Sequence, residues 1–400
     1  MTTYNLSYMR NRAYLAVSLT HFFVDVLNNS RTLLVAIVAV SIGLTNAEVG
    51  IALLLYNIGS ALLQPVFGWM ADRFGPRWLV VGGMGWMIGL YGVAAVAPDW
   101  PALVAITLAG LGSGAFHPTG AKVAGEVSTT ARNQATAVFF TAGQLGLFVG
   151  PVLAGGLLDS YGRIGFLALP FLALLAFGSG LRWLSNDKAH HAAHAEHQHS
   201  PASASKETVT ATVQPRQPIH WPTALPLTII ILSSSTIGIA AINFAPKLFT
   251  ELGYAPAYVG WTAGLFMMGS AIGGIIGGAL GDRIGRKLPI LIGFVGSILP
   301  LIFYIPAADP WRFILLLLAG FFAGMPHSIL VIMAQALMPG RRATASGLIL
   351  GMMFFSGAIG SLVVGWLGDQ IGLGPALQWT AVLPVVALVA TLMLPGKEGR

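Results

Sequence analysis

The first apolar segment of the sequence carries polar residues at helical spacing. His21, Asp25 and Asn28 fall within a stripe about 60° wide when each residue turns the helix by 100°. Asp25 lies about 13 residues into the segment, or about 20 Å along the helix axis, which is near the middle of a membrane. A carboxylate at that depth is costly unless it is paired or protonated. The stripe therefore predicts that Asp25 carries a proton and that His21 tunes it.

Two interpretations of this stripe stay open. It either couples protons or substrate to a conformational change, or it is a permanently paired polar cluster that fixes helix packing. Arg31 is offset from the stripe by about 80°, but its long side chain can reach Asp25 or an anionic substrate. His117, which precedes Pro118, is a further candidate for proton coupling.

The composition indicates that these residues sit in a membrane protein. Hydrophobic residues make up 55% of the 400 residues, charged residues make up 9%, and the mean hydropathy is +0.76. A soluble domain needs roughly a quarter of its residues charged. We therefore expect an all-α membrane protein with twelve transmembrane helices. Their expected ranges are 12–41, 47–70, 78–97, 101–122, 133–158, 165–184, 222–249, 257–280, 288–306, 311–336, 343–368 and 374–395.

The two halves of the chain repeat each other at an offset of 210 residues. The stretch Gly68 to Arg77 (GWMADRFGPR) matches Gly278 to Lys287 (GALGDRIGRK). Six helices in each half give both halves the same orientation, which is the parallel repeat of many transporters. His117 recurs as His327, which also allows a scaffold role for this histidine. Further matching pairs are Gly50 and Gly260, Arg132 and Arg342, Gly150 and Gly360, Asp159 and Asp369, and Gly162 and Gly372.

The basic residues predict the orientation, because cytoplasmic loops retain Lys and Arg. With both termini in the cytoplasm, only Arg163, Lys247 and Arg312 fall outside, and Arg31 lies within the first helix. The net charge of +7 then faces anionic membrane lipids, and no nucleic acid partner is expected. The sequence has no Cys, which excludes disulfides and thiolate metal sites.

A polar segment separates the two halves and predicts three units: 1–184, a cytoplasmic linker at 185–221, and 222–400. The linker contains His190, His194 and His197, whose spacing suits a transition metal if the segment is helical. The alternative is a flexible linker with too little hydrophobicity for a packed core.

The chain resembles the major facilitator superfamily through the two repeated loop motifs, and the resemblance covers essentially its whole length. In that family the loop carboxylate and arginine form a charge network that stabilises the outward-facing state. The alternative is that the loop only fixes the orientation of the protein in the membrane. Pro76 replaces the usual basic residue, which weakens a relay through Arg77. The resemblance implies a conformational switch at Asp72, Arg73, Arg77, Asp282, Arg283 and Arg286.

The stretch Gly146 to Gly156 (GLFVGPVLAGG) resembles the antiporter motif of drug-efflux members, with one extra residue between Pro151 and the glycine pair. Small residues such as Gly150 let helices approach closely, and Pro151 removes a backbone donor, so the helix can bend there. The motif implies export, and ordinary small-residue packing is the competing interpretation.

A narrower resemblance is to the fosmidomycin-resistance branch of the superfamily. Thr119 stands here where that branch often has an acidic residue after the His-Pro pair. The segments that carry the resemblance are Ser18–Asp25 (SLTHFFVD), Leu62–Gly68 (LLQPVFG), Gly112–Pro118 (GSGAFHP) and Ala334–Arg341 (AQALMPGR).

Functional groups should lie where the halves differ, because shared residues serve the shared scaffold. The positions equivalent to His21, Asp25, Asn28 and Arg31 are Ile231, Ser235, Gly238 and Ala241, so the second half lacks these ionisable groups. Uncharged polar residues elsewhere either orient a substrate or join helices. The candidates for substrate binding are Arg31, Asn28, Asn57, Gln64, Gln144 and Asn243.

Neither a phosphate-binding loop nor a nucleophile elbow occurs in the sequence, so we expect no enzyme activity, no cofactor and no resident metal. The expected function is proton-driven export of a small amphiphilic or anionic compound, such as a drug, across the bacterial inner membrane. The alternatives are uptake of a sugar, organic acid or peptide with protons, and a membrane sensor that does not transport. The resemblance implies a monomer.

Overall fold

The computed structural model describes residues 7–127, 132–184, 221–336 and 342–394, and at 7, 132–134, 335, 336 and 342–351 it describes the main chain alone. It confirms the all-α fold with twelve membrane helices, numbered here in chain order. The helices are α1 (Arg12–Ser41), α2 (Asn46–Phe74), α3 (Pro76–Val96), α4 (Asp99–Glu126), α5 (Arg132–Tyr161), α6 (Ala168–Trp183), α7 (Trp221–Glu251), α8 (Pro256–Ile284), α9 (Lys287–Phe303), α10 (Trp311–Ala334), α11 (Arg342–Ile371) and α12 (Leu373–Met393).

Several of these helices are interrupted. A π-helical segment, Ile58–Leu62, lies within α2, α10 breaks before His327, and α12 breaks after Trp379. By length and apolar character, ten continuous helical segments can cross a membrane. One of these segments contains both α5 and α6, so the ten segments contain eleven of the helices. The twelfth is α9, which is shorter than any of these segments. The predicted linker and its histidines lie outside the described residues, so its role stays a prediction.

Glycines with positive φ mark the same turns in both halves. Gly75 (φ 94°) ends α2 before the α2–α3 turn, and Gly285 (φ 86°) ends α8 at the equivalent turn. A side chain is strained in this conformation, so glycine fits both turns. The repeat of 210 residues is therefore a repeat of backbone geometry. The other pairs are Gly43 (67°) with Gly253 (81°), and Gly162 (62°) with Gly372 (89°).

Small residues bring α1 and α5 together in the first half. A Cβ atom on Gly143 would lie 2.5 Å from His21 Nε2 and 2.6 Å from Asp25 Oδ2. Farther along α5, a Cβ atom on Gly150 would lie 2.9 Å from Ser30 Oγ. The glycines of α5 therefore make room for the polar stripe of α1.

The two halves meet mainly through α5 with α8, α2 with α11, and α1 with α7. The end of the bundle where α1 begins and α2 ends is called here the basic end, and the other is called the opposite end. At the opposite end, Asp369 of α11 accepts hydrogen bonds from the backbone N–H groups of Asn46 (2.7 Å) and Ala47 (2.9 Å). Buried Lys247 of α7 donates to Asn46 Oδ1 at 2.6 Å and also contacts Glu251. Polar contacts therefore hold the halves together at the opposite end.

Candidate functional site

Three titratable side chains from α1 and α4 converge inside the first half. Asp25 Oδ2 lies 3.3 Å from His21 Nε2, and Asp25 Oδ1 lies 3.5 Å from His117 Nε2. The helical stripe correctly predicts the contact between His21 and Asp25, whereas the position of His117 depends on how α4 packs against α1. We call these three residues the Asp25 cluster.

Backbone carbonyls fix the orientation of both imidazoles. His21 Nδ1 lies 2.8 Å from the Phe139 carbonyl oxygen, and His117 Nδ1 lies 2.8 Å from the Ser113 carbonyl oxygen. A carbonyl only accepts, so each Nδ1 is the donor, and a neutral imidazole then turns its Nε2 lone pair to Asp25. Each Nε2 can donate a hydrogen bond to an ionised Asp25 only when that Nε2 carries a proton. The arrangement therefore offers two imidazole nitrogens and a carboxylate to one small cation, all within 4.8 Å of one another.

Burial differs across the Asp25 cluster. The side chain of His21 is 3% exposed, that of Asp25 9% and that of His117 26%. His21 also stacks on Phe139, with 4.1 Å between ring centroids. His21 is therefore the fixed member of the cluster, and His117 is the member most open to the surroundings.

Asn28 connects the Asp25 cluster to α2 and α4. Its amide nitrogen donates to Asp25 Oδ1 (2.9 Å) and to Ser113 Oγ (3.1 Å), and its amide oxygen accepts from the Tyr56 hydroxyl. The Arg31 guanidinium carbon lies 3.9 Å from the centroid of the Tyr56 ring. A continuous set of contacts thus runs from Asp25 through Asn28 and Tyr56 to Arg31.

The other predicted substrate-binding residues lie away from this set of contacts. Asn57 and Gln64 each donate to a backbone carbonyl of their own helix. Asn57 donates to Leu53 at 2.7 Å, and Gln64 donates to Ser60 at 2.9 Å. Gln144 is exposed on α5. Asn243 is buried in the second half and donates to Ser361 Oγ at 3.1 Å, which joins α7 to α11.

The loop motifs make different contacts in the two halves. Asp72 forms an ion pair with Lys122 of α4. Arg73 lies over Trp69, and Arg77 donates to the Leu181 carbonyl at 2.9 Å.

In the second copy of the loop motif, Asp282 and Arg283 are exposed and form no ion pair with another described residue. Arg286 is half-buried. The residue equivalent to Lys122 is Ile332, which cannot pair with Asp282.

The antiporter-like motif lies at two helix interfaces. Gly150 faces α1, where a Cβ atom would lie 2.9 Å from Ser30 Oγ. The carbonyl of Pro151 faces Gly260 of α8, close enough that no side chain fits there. This motif therefore packs α5 both within the first half and against the second.

Two residues of the site were missed in the sequence. Ser113 lies one helical turn before His117 within the GSGAFHP stretch, so helical spacing was a usable signal. Tyr56 is adjacent to Asn57 on α2, but only the packing of α2 against α1 shows that it contacts Asn28 and Arg31.

The family model of the Major Facilitator Superfamily matches residues 17–242 and 227–398. The chain belongs to this superfamily. It is 28% identical to the fosmidomycin resistance protein of Escherichia coli (strain K12) over 392 residues, which cover 96% of this chain and 93% of that protein. It is 30% identical to an uncharacterized transporter of the superfamily from Bacillus subtilis (strain 168), covering 88% and 85%.

Solved structures of other transporters share the fold of this chain. A bacterial homologue of the human lysosomal transporter Spinster, in an inward-facing and occupied conformation, aligns with a TM-score of 0.75 at 15% identity, covering 95% of each chain. A D-xylose–proton symporter aligns with a TM-score of 0.71 at 15% identity, covering 97% of this chain and 98% of that one. These similarities establish the fold.

Proposed function

We propose that this transporter exports a small amphiphilic or anionic compound in exchange for protons, with Asp25 as the proton-binding group. The observation that carries the proposal is the pair of imidazoles whose Nδ1 atoms are committed to carbonyls while both Nε2 atoms face the Asp25 carboxylate. Such a group changes its charge when one proton arrives or leaves.

In the proposed cycle, His117 exchanges protons with the surroundings because it is the most exposed member of the Asp25 cluster. His21 holds its ring against Phe139 and keeps Nε2 beside Asp25 Oδ2. Protonation removes the Asp25 charge, and with it the cost of moving a buried carboxylate past the apolar faces of neighbouring helices. The proton therefore lowers the cost of moving the first half against the second.

The conformational part of the cycle rocks the two halves about the site. Contacts of Asp369 and Lys247 close the opposite end, as expected when the transporter is open to the basic end. The ion pair of Asp72 with Lys122 would rearrange when the basic end closes. We assign the basic end to the cytoplasm of a cell with an inner membrane, because Lys and Arg are concentrated there.

Two features favour export. The E. coli relative is named for resistance to fosmidomycin, and resistance through a transporter requires removal of the compound. In the antiporter-like motif, the Pro151 carbonyl faces Gly260 of α8, at the interface between the halves that must slide when they rock.

The test is proton movement into pyranine-loaded proteoliposomes with EDTA present, so that stray metal ions do not contribute. Tetraphenylphosphonium, phenylphosphonate, D-xylose and benzoate serve as substrate probes. We expect proton flux with at least one probe in the wild type and none in Asp25→Asn. Asp159→Asn, which changes an exposed carboxylate of α5, should match the wild type. Full proton flux in Asp25→Asn would reject the proposal.

A further inference from the structure

Arg31 is a buried cation that forms no ion pair or hydrogen bond with the described residues. Its residue is 8% exposed, and Nε and Nη1 are buried without an acceptor among the described residues. The nearest carboxylate along α1, Asp25, lies about 9 Å away along the helix axis and is occupied by the two histidines and Asn28. A charge without an acceptor at this depth is costly, and the described residues supply none, so we expect the counter-ion to come from a bound molecule.

Arg163, whose side chain is 22% exposed, shows how this fold satisfies a half-buried arginine. It donates to the Ala94 carbonyl from Nε (3.1 Å) and Nη2 (2.8 Å), to the Ala97 carbonyl (2.7 Å) and to Asp99 Oδ1 (2.9 Å). Its guanidinium is thus neutralised and hydrogen-bonded within the protein. Arg31 has the same donors and none of these acceptors.

Arg312, at the opposite end of the second half, is also held by the protein. It donates to the hydroxyls of Tyr254 (2.7 Å) and Tyr258 (2.6 Å) and lies 3.9 Å from Asp309 Oδ1. Half-buried Arg163 and buried Arg312 therefore each have several acceptors within the protein. Nε of Arg312 and Nε of Arg77 are also buried without an acceptor, but among the described arginines only Arg31 has two such nitrogens.

The surroundings of Arg31 hold the guanidinium in place without neutralising it. The Tyr56 ring lies 3.9 Å from the guanidinium carbon, and Tyr91 of α3 is close enough to interact electrostatically with both. An aromatic face attracts the cation but leaves the N–H groups at its edge free to donate. Arginine donors arranged in this way match the two oxygens of a carboxylate, phosphonate or sulfonate.

We propose that Arg31 is the site for an oxoanion group of the substrate, so that the transported compound is an organic acid. This inference rests on the proposed transport function and names its substrate class. Tyr56 connects this site to the proton site, because its ring contacts Arg31 and its hydroxyl donates to Asn28, which in turn donates to Asp25. The acid group and the proton then occupy two ends of one hydrogen-bonded set of side chains.

The test measures binding to the purified full-length transporter in detergent, with no gradient. The probes are benzoate and phenylphosphonate, compared with benzylamine and benzyl alcohol, which keep the aromatic ring and change only the head group. Isothermal titration calorimetry should detect both anions and neither control. Arg31→Gln should weaken anion binding at least about tenfold, and Arg31→Lys should retain part of it.

Thermal unfolding separates a binding role from a structural one. Arg31→Gln removes an unpaired buried charge, so its Tm should equal or exceed that of the wild type. Arg163→Lys breaks a satisfied set of hydrogen bonds, so it should lower Tm and leave anion binding unchanged. Arg31→Lys keeps the comparison valid if the glutamine variant does not fold.

Binding of benzylamine as tight as that of the anions would overturn the inference, as would unweakened anion binding by Arg31→Gln or failure of all probes to bind. Each of these results can occur while Asp25-dependent proton flux persists. Conversely, rejection of the proton-coupling proposal would not affect the binding comparison, so each proposal can be rejected independently of the other.

Discussion

The two halves of this transporter have the same backbone and different chemistry. His117 lies 3.5 Å from Asp25, whereas its equivalent, His327, makes no ion pair within the described residues. The residue equivalent to Asp25 is Ser235, and Gly143, which leaves room for His21, is replaced by Met353. The repeat therefore supplies the scaffold, and the differences between halves supply the ionisable site.

The contacts at the opposite end differ in the same way. Asp369 caps the start of α2 through the backbone N–H groups of Asn46 and Ala47. Its equivalent, Asp159, is exposed, and the residue equivalent to Asn46 is Pro256, which has no N–H group to donate. The first half thus contributes the Asp25 cluster, and the second contributes the carboxylate that joins the halves at the opposite end.

The largest expected effect comes from filling the space beside the Asp25 cluster. Gly143→Ala places a Cβ atom 2.5 Å from His21 Nε2, so the ring must move off Asp25. We expect proton flux to fall by up to about 100-fold, which corresponds to an overpacking cost of about 3 kcal/mol. Gly156→Ala on the same helix has nothing within 4 Å of its Cβ and should transport like the wild type. Equal flux in the two variants would mean that the α1–α5 contact is not part of the coupling site.

Replacing His117, or its equivalent His327 in the second half, has a smaller expected effect. His117→Gln removes the more exposed ion-pair contact to Asp25, so we expect about tenfold slower proton flux. His327→Gln should change flux less than about twofold, because a histidine that forms no ion pair within the described residues is not expected to carry the proton. Pyranine fluorescence in matched proteoliposomes measures both. A larger loss in His327→Gln would contradict the assignment of coupling to the first half.

The smallest effect is expected where one atom distinguishes the halves. Phe266 is the equivalent of Tyr56, so Tyr56→Phe gives the first half the residue of the second. The ring under Arg31 is kept and the hydrogen bond to Asn28 is lost. A loss of about 1 kcal/mol predicts roughly fivefold slower exchange with little change in anion affinity. If calorimetry shows a large loss of affinity instead, the hydroxyl itself binds the substrate.

Much of the fold follows from the sequence, because apolar length and the repeat of 210 residues determine the helix count. The stripe of α1 places Asp25, His21 and Asn28 together, since helical spacing alone decides which residues share a face. The contacts of His117, Ser113 and Tyr56 depend on the rotation and register of neighbouring helices, which sequence spacing leaves undetermined. The free donors of Arg31 have the same origin, because their distance from acceptors among the described residues is a property of the packed bundle.

The most direct test of the central claim compares two transport modes of Asp25→Asn in the same proteoliposomes. The first is accumulation of a labelled probe driven by a pH gradient, and the second is exchange of that probe across the membrane without a gradient. If Asp25 carries the proton, the variant loses driven accumulation and retains exchange, because an amide mimics the protonated acid and still permits the rocking motion. Driven accumulation at the wild-type level in Asp25→Asn would contradict the account.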